Sequence, residues 1–166
     1  MQIGVYGAGY LGTVISACLA DFGTPVICCH PDSSRMVEMA QGNVPFFEKN
    51  LIEVIKRNVR SGRLLYSTDM ESFARRAQVI FLAEDTPQHL ADLAIRIARH
   101  APRPPVLSVV TPVSVGTAAG VEQKLAEASV RATIVSQPIF FTPGCAVEDF
   151  NWPDRIILGT SYDDAV

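Results

Sequence analysis

Three glycines near the amino terminus, spaced G-x-G-x-x-G, constrain the fold more strongly than any other feature of this sequence. Gly7, Gly9 and Gly12 follow a short apolar segment typical of a β-strand and precede a run with the apolar pattern of a helix. Gly7 permits a sharp strand-to-helix turn, Gly9 lets backbone N–H groups approach a pyrophosphate closely, and Gly12 lets the helix pack against the strand. The pattern therefore predicts a dinucleotide-binding turn, with Tyr10 and Leu11 at the start of its helix. The alternative is that the glycines serve only a tight β–α turn.

Strand-like and helix-like segments alternate along the rest of the chain. The sequence predicts strands at residues 2–6, 26–29, 64–67, 79–82, 106–110, 133–135 and 156–158, and helices at 10–22, 33–41, 50–60, 70–76, 88–100 and 117–128. This alternation is typical of an α/β domain with a doubly wound, mostly parallel sheet, the Rossmann type of dinucleotide-binding domain. The length of 166 residues fits one domain, which we expect to span residues 1–166.

Composition argues against several classes of partner. The 14 lysines and arginines are scattered and the formal net charge is −3, so we expect no basic face for nucleic acid. No apolar run approaches the roughly 18 residues of a membrane span, so we expect no membrane partner. Cys18, Cys28, Cys29 and Cys145 form no C-x-x-C pair and have no histidine at zinc spacing. They predict reduced, mostly buried thiols, no metal site and a cytoplasmic location.

The predicted sheet locates the ligand site. In open α/β sheets, ligands bind in the crevice outside the carboxyl ends of the strands. Four loops follow such strand ends, at residues 7–12, 30–35, 83–88 and 111–117. We therefore expect the dinucleotide to contact these loops.

Five motifs in chain order resemble those of one enzyme family. Residues 7–13 are similar to G-x-G-Y-V-G-L, residues 42–48 to G-x-x-P-x-x-E, residues 61–69 to G-R-L-x-x-T-x-D, residues 115–117 to V-G-T, and residues 144–155 to G-S-A-x-x-D-F-x-x-P-D-R. The last motif is long and specific. Together they resemble the N-terminal domain of the UDP-glucose/GDP-mannose dehydrogenase family, over essentially the whole chain.

The resemblance implies a cofactor, a substrate class and a missing part. Members of this family oxidise the C6 hydroxyl of a nucleotide sugar to a carboxylate, with two hydride transfers to NAD and a thioester on a cysteine. That cysteine belongs to a C-terminal domain, which we expect this chain to lack together with the family's central helix. The resemblance therefore implies an NAD-binding domain with no catalytic residue of its own. Such a domain is expected to contact a nucleotide-sugar substrate only when the missing domain is present. The alternative is a non-catalytic binding or assembly module, and the oligomeric state is not predicted.

The second strand departs from the family at the position that recognises the adenosine ribose. His30 replaces an acidic residue, Asp32 follows two positions later, and Arg35 stands where the family commonly has lysine. We expect His30 and Arg35 to contact the cofactor. With Ser33 and Ser34 they are also suited to a 2′-phosphate, which leaves NADP as an alternative to NAD. A third interpretation is an ordinary solvated turn.

Two further loops depart from the family near the expected cofactor. The V-G-T-P loop is shortened here to residues 83–88, where Thr86 keeps the threonine while Glu84 and Asp85 add two carboxylates. These carboxylates either repel a pyrophosphate or face solvent. In the next loop, proline occupies the position of the family's functional threonine, and we expect Thr111 to compensate in part.

The remaining departures concern the chemistry. Ile139 stands where the family has a glutamate that assists catalysis, and isoleucine cannot transfer a proton. Cys145 stands where the family usually has serine, and no base lies at recognisable spacing, so we interpret it as a small loop residue rather than a nucleophile.

Overall fold

The computed structural model describes residues 2–84 and 86–161 and contains six strands and seven helices in that part of the chain. The strands are β1 (Ile3–Tyr6), β2 (Val26–Cys29), β3 (Leu64–Ser67), β4 (Val79–Leu82), β5 (Val106–Val109) and β6 (Thr133–Ser136). The helices are α1 (Tyr10–Asp21), α2 (Ser33–Ala40), α3 (Leu51–Arg60), α4 (Met70–Arg76), α5 (Leu90–His100), α6 (Thr117–Glu127) and α7 (Ala146–Asn151). A 3₁₀ turn at Pro87–His89 leads into α5.

All six strands are parallel, in the order β3-β2-β1-β4-β5-β6. In the centre, Ile3 of β1 pairs with Val26 of β2 on one side and Val79 of β4 on the other. The strand order reverses between β1 and β4, which opens a crevice at their carboxyl ends. The predicted doubly wound α/β fold is confirmed, and the sheet is fully parallel where we predicted a mostly parallel one.

Each face of the sheet has its own apolar core. Buried side chains of α1, α2, α3 and α7 cover one face, and those of α4, α5 and α6 cover the other. Parallel strands covered on both faces are short apolar runs, and β2 is buried at all four positions. In β4, Ile80 and Leu82 are buried, while Val79 and Phe81 are only half-buried.

In the last part of the chain, one predicted strand is wrong and one helix was not predicted. The apolar run at 156–158 forms no strand, and only Gly159 pairs with the sheet, through an antiparallel bridge to Ser136 with N–O distances of 2.7 and 2.9 Å. The side chains of residues 156–158 are 45–66% exposed, so no neighbouring layer stabilises an extended segment there. Helix α7 was not predicted because six residues give too short a pattern to recognise.

The remaining element boundaries agree with prediction to within about two residues, the usual uncertainty of helix ends. The main difference is the start of the helix predicted at 88–100, whose first residues belong to the 3₁₀ turn. Among the described residues, no helix is long and apolar enough to cross a membrane.

Candidate functional site

The turn after β1 is built around glycine. Gly7 has a φ of +124°, a conformation that L side chains rarely adopt. A Cβ at this position would lie 2.1 Å from the carbonyl oxygen of Ala83, so the backbones of the β1 and β4 loops touch. A Cβ on Gly12 would lie 2.2 Å from the carbonyl oxygen of Gly7, so α1 packs directly on the turn. Both glycines therefore have the steric roles that the motif predicts.

Gly9 has a different role. Its φ of −78° and ψ of −170° describe extended backbone that any residue can adopt. It is the N-cap of α1 and provides no side chain to cap the helix, and the first turn contains no acidic residue. The helical ladder begins when Thr13 donates to the carbonyl oxygen of Gly9, from its N–H at 3.0 Å and its hydroxyl at 2.7 Å.

The N–H groups of Tyr10, Leu11 and Gly12 precede this first bond and lack helical acceptors. The start of α1 is therefore suited to an anion such as a pyrophosphate.

The segment after β2 forms an internally bonded turn. The backbone N–H of Asp32 donates to Nδ1 of His30 at 3.2 Å. Oδ1 of Asp32 accepts the backbone N–H of Arg35 at 3.0 Å and thereby caps α2. His30 and Arg35 are half-buried, whereas Asp32 and both serines are exposed. A carboxylate therefore lies at the helix end where a 2′-phosphate would be expected to bind.

The loop after β4 is held from β5. The Thr111 hydroxyl donates to the carbonyl oxygens of Glu84 at 2.8 Å and Leu82 at 3.3 Å, and Thr111 is 8% exposed. Thr86 is exposed on the same loop. Asp85 lies outside the described residues, so the predicted pair of carboxylates can be located only at Glu84.

These contacts bring most of the predicted site residues to one edge of the sheet. Gly7 donates its N–H to the carbonyl oxygen of Cys29, next to His30, and meets the β4 loop at Ala83. Thr111 joins the edge through the carbonyl of Glu84. The glycine turn, the β2 turn and the β4 loop therefore surround the crevice. Thr111 uses its hydroxyl to hold the loop, and Thr86 lies further out along it.

Glu48 was not predicted as a site residue. This residue is 5% exposed and precedes α3. Its Oε1 accepts the Tyr10 hydroxyl at 2.5 Å and the Gly144 N–H at 2.7 Å, and its Oε2 accepts the Ala146 N–H at 2.9 Å. Burial, and then the hydrogen bond to Glu48, raise the pKa of the Tyr10 phenol far above its usual value of 10.0. The glutamate closing the G-x-x-P-x-x-E segment was the available signal, but the sequence did not reveal its partners.

The segment after β6 borders an open groove. Residues 137–142, 149–150 and 152–157 form its wall, and Phe140 and Trp152 are largely exposed there. Ile139, at the position of the family's glutamate, packs against the core that contains α1. Cys145 is the N-cap of α7 and is exposed, whereas Cys18, Cys28 and Cys29 are buried. Burial raises the pKa of each of these three thiols to about 12, so they remain protonated and unreactive. Among the described residues, no cluster of three or more potential ligands could hold a metal ion.

Comparison with known proteins assigns the chain to a family. The model of the UDP-glucose/GDP-mannose dehydrogenase family, NAD binding domain, matches residues 1–166. The chain belongs to this family. The predicted resemblance and the predicted NAD-binding domain are both confirmed.

Similar proteins support the same assignment. The chain is 35% identical to the UDP-glucose 6-dehydrogenase of Rhizobium meliloti (strain 1021), covering 99% of this chain and 40% of that protein. It is also 35% identical to the UDP-glucose 6-dehydrogenase YwqF of Bacillus subtilis (strain 168), covering 97% of this chain and 39% of that protein. The chain thus spans about 40% of the length of these dehydrogenases.

Solved structures agree with the fold. A UDP-glucose dehydrogenase from the hyperthermophilic archaeon Pyrobaculum islandicum superposes with a TM-score of 0.88 at 27% identity, covering 99% of this chain and 41% of that one. A GDP-mannose dehydrogenase from Pseudomonas aeruginosa has the same fold, with a TM-score of 0.88 at 21% identity, covering 99% of this chain and 42% of that one.

Proposed function

We propose that the chain binds NAD across the carboxyl edge of the sheet, with the pyrophosphate at the amino terminus of α1. The observation that carries the proposal is the state of that helix end. Gly9 does not need to be glycine for its backbone conformation, yet it leaves the first turn of α1 open and without an acidic side chain. Glycine at such a position lets a ligand approach the backbone N–H groups of the helix start closely.

The adenosine end of the site favours NAD over NADP. The Asp32 carboxylate caps α2, so a 2′-phosphate placed there would meet a negative charge. His30 adds no preference, because its Nδ1 accepts an N–H and the proton of the neutral ring then lies on Nε2, which can donate to a phosphate. Arg35 opposes this trend, because its guanidinium would attract the phosphate.

NAD held by these residues would supply a hydride acceptor. In this proposal the chain presents the cofactor to a nucleotide sugar such as UDP-glucose within a longer dehydrogenase. The chain's own residues bind and orient the cofactor. Ile139 cannot act as an acid or base, so no proton transfer is assigned to it. We place the protein in the cytoplasm, because four unpaired thiols suit a reducing compartment.

The main competing function is that of a relative that kept the fold and lost cofactor binding. Ile139 favours this alternative, since a half-buried apolar side chain that contacts the core has replaced one that the family uses in chemistry. The two functions differ in a simple observable, which is saturable binding of the dinucleotide.

Isothermal titration calorimetry with NAD and with NADP tests the proposal, using Gly9→Val as the decisive variant. Valine can adopt the extended backbone at position 9, and its side chain would occupy the space of the pyrophosphate. We expect saturable NAD binding by the wild type and none by Gly9→Val, with similar melting temperatures. Gly120→Val is the matched control, because a Cβ at Gly120 meets no atom within 4 Å. Unchanged affinity in Gly9→Val would reject this site, and no binding of either dinucleotide by the wild type would favour the competing function.

A further inference from the structure

Glu48 joins two parts of the molecule that are far apart in sequence. Its carboxylate bonds to the first residue of α1, 38 positions away, and to Gly144 and Ala146, 96 and 98 positions away. Burial of a carboxylate is unfavourable unless hydrogen bonds replace the lost water. Three donors on two oxygens provide that replacement, so the position of the carboxylate depends on all three.

Aromatic rings make the same connection a second time. The ring of Tyr10 contacts Phe46 with 5.1 Å between centroids and Phe141 with 6.5 Å. Phe46 belongs to the segment that carries Glu48, and Phe141 belongs to the wall of the groove. Tyr10, which belongs to the phosphate-binding turn, therefore connects this turn to the segment 137–146.

The last part of this segment, residues 142–146, has hydrogen bonds of its own that do not involve Glu48. The N–H of Cys145 donates to the carbonyl oxygen of Thr142 at 2.9 Å, and the N–H of Thr142 donates to Asp149 at 2.6 Å. Loss of the Glu48 contacts should therefore loosen the segment relative to α1 without unfolding it. Glu48 is thus the polar link between a segment with local order and the helix that receives the cofactor.

We propose that Glu48 is a positioning residue that couples NAD binding at the start of α1 to the order of the segment 142–146. This inference rests on the proposed function. NAD bound to the 7–12 turn restrains Tyr10, and the restraint passes through the Glu48 carboxylate to the N–H groups of Gly144 and Ala146. Coupling of this kind is reciprocal, so a loosened segment also weakens NAD binding.

Cys145 provides a local probe of this coupling, because its thiol is exposed within the segment while the other three are buried. The experiment measures the pseudo-first-order rate of Cys145 alkylation by iodoacetamide, by peptide mass spectrometry, with and without saturating NAD. In the wild type we expect NAD to slow alkylation by about fivefold, the lower end of typical coupling. In Glu48→Gln the amide nitrogen cannot accept a hydrogen bond, so NAD should bind more weakly and should slow alkylation less than in the wild type, since the ring contacts of Tyr10 remain.

Two further variants keep the test decisive. Tyr10→Phe removes only the hydroxyl donor and leaves both loop contacts of Glu48 and the ring contacts intact, so it should weaken the NAD effect even if Glu48→Gln folds poorly. Glu53→Gln makes the same chemical change at an exposed position of α3 and should behave as the wild type.

The outcomes separate the coupling from the proposed function. If calorimetry shows NAD binding but alkylation of the wild type is unaffected, the coupling is refuted while cofactor binding stands. If NAD protects Cys145 equally in the wild type, Glu48→Gln and Tyr10→Phe, the cofactor covers the thiol directly and the coupling is again refuted. If the wild type binds no NAD, both proposals fail.

Discussion

Replacement of Gly12 by alanine is the most direct test of how tightly α1 packs on the glycine turn. The new Cβ would lie 2.2 Å from the carbonyl oxygen of Gly7 and 2.8 Å from its carbonyl carbon. Ordinary contacts begin near 3.4 Å, so helix and turn must separate by about 1 Å, and overpacking of this kind typically costs about 1–3 kcal/mol. Both contacts are to backbone, so no flexible side chain can move aside.

Thermal unfolding with NAD titration measures the result. At about 2–4 °C per kcal/mol for a domain of this size, Gly12→Ala should lower the melting temperature by about 2–12 °C. NAD affinity should fall as well, because the displaced turn no longer presents the N–H groups of α1 together. Gly120→Ala is the control. It lies in a helix with open space around its Cβ, so the change should stabilise the protein by about 0.4–1 kcal/mol. If Gly12→Ala melted at or above the wild-type temperature and bound NAD equally well, the close approach of α1 to the turn would be wrong.

Two other predictions concern charge. His30→Asp should restore a ribose acceptor and tighten NAD binding by about ten- to hundredfold, corresponding to about 1.5–3 kcal/mol for a charge-assisted hydrogen bond; calorimetry showing no gain would mean that His30 lies outside the adenosine site. Hydrogen bonds from Arg57 and Asn58 lower the pKa of Asp21 below its usual value of 3.8. A carboxyl group whose pKa is lower in the folded than in the unfolded state stabilises the folded protein at pH values above the unfolded-state pKa. This stability is lost as the pH falls through the folded-state pKa. Asp21→Asn should therefore be less stable than the wild type in urea unfolding at pH 7, with the gap narrowing below about pH 4; a gap independent of pH would contradict this account.

The parts of the fold that sequence predicted well depend on short-range patterns. The steric roles of Gly7 and Gly12 arise within one β–α unit and its contact with Ala83, and the spacing of the glycines encodes them directly. The strand of residues 26–29 was predicted with its correct ends, because a four-residue apolar run is typical of a parallel strand buried on both faces. The apolar run at 156–158 has the same local pattern but lacks covering layers, and periodicity cannot detect that difference.

The parts of the site that sequence missed depend on long-range contacts. Glu48 ends a recognisable motif, but its partners lie 38, 96 and 98 positions away, and nothing in local spacing identifies them. Asp32 was predicted only as a residue near His30, whereas its carboxylate caps α2. That cap changes the interpretation of the whole turn, because it places a negative charge where the sequence alone allowed a 2′-phosphate.

Helix ends show how the described part of the chain distributes charge around the crevice. Asp32 and Asp69 cap α2 and α4, while α3, α5 and α7 have acidic residues in their first turns. Of the seven described helices, only α1 and α6 have neither an acidic first-turn residue nor a side-chain cap. These two helices follow β1 and β5, the strands on either side of β4, so both begin at the carboxyl edge of the sheet. Uncompensated helix starts favour anions. The start of α1 lies at the crevice where the strand order reverses, and the start of α6 lies two strands away along the same edge, so both uncompensated helix ends lie at the edge where a negatively charged dinucleotide would bind.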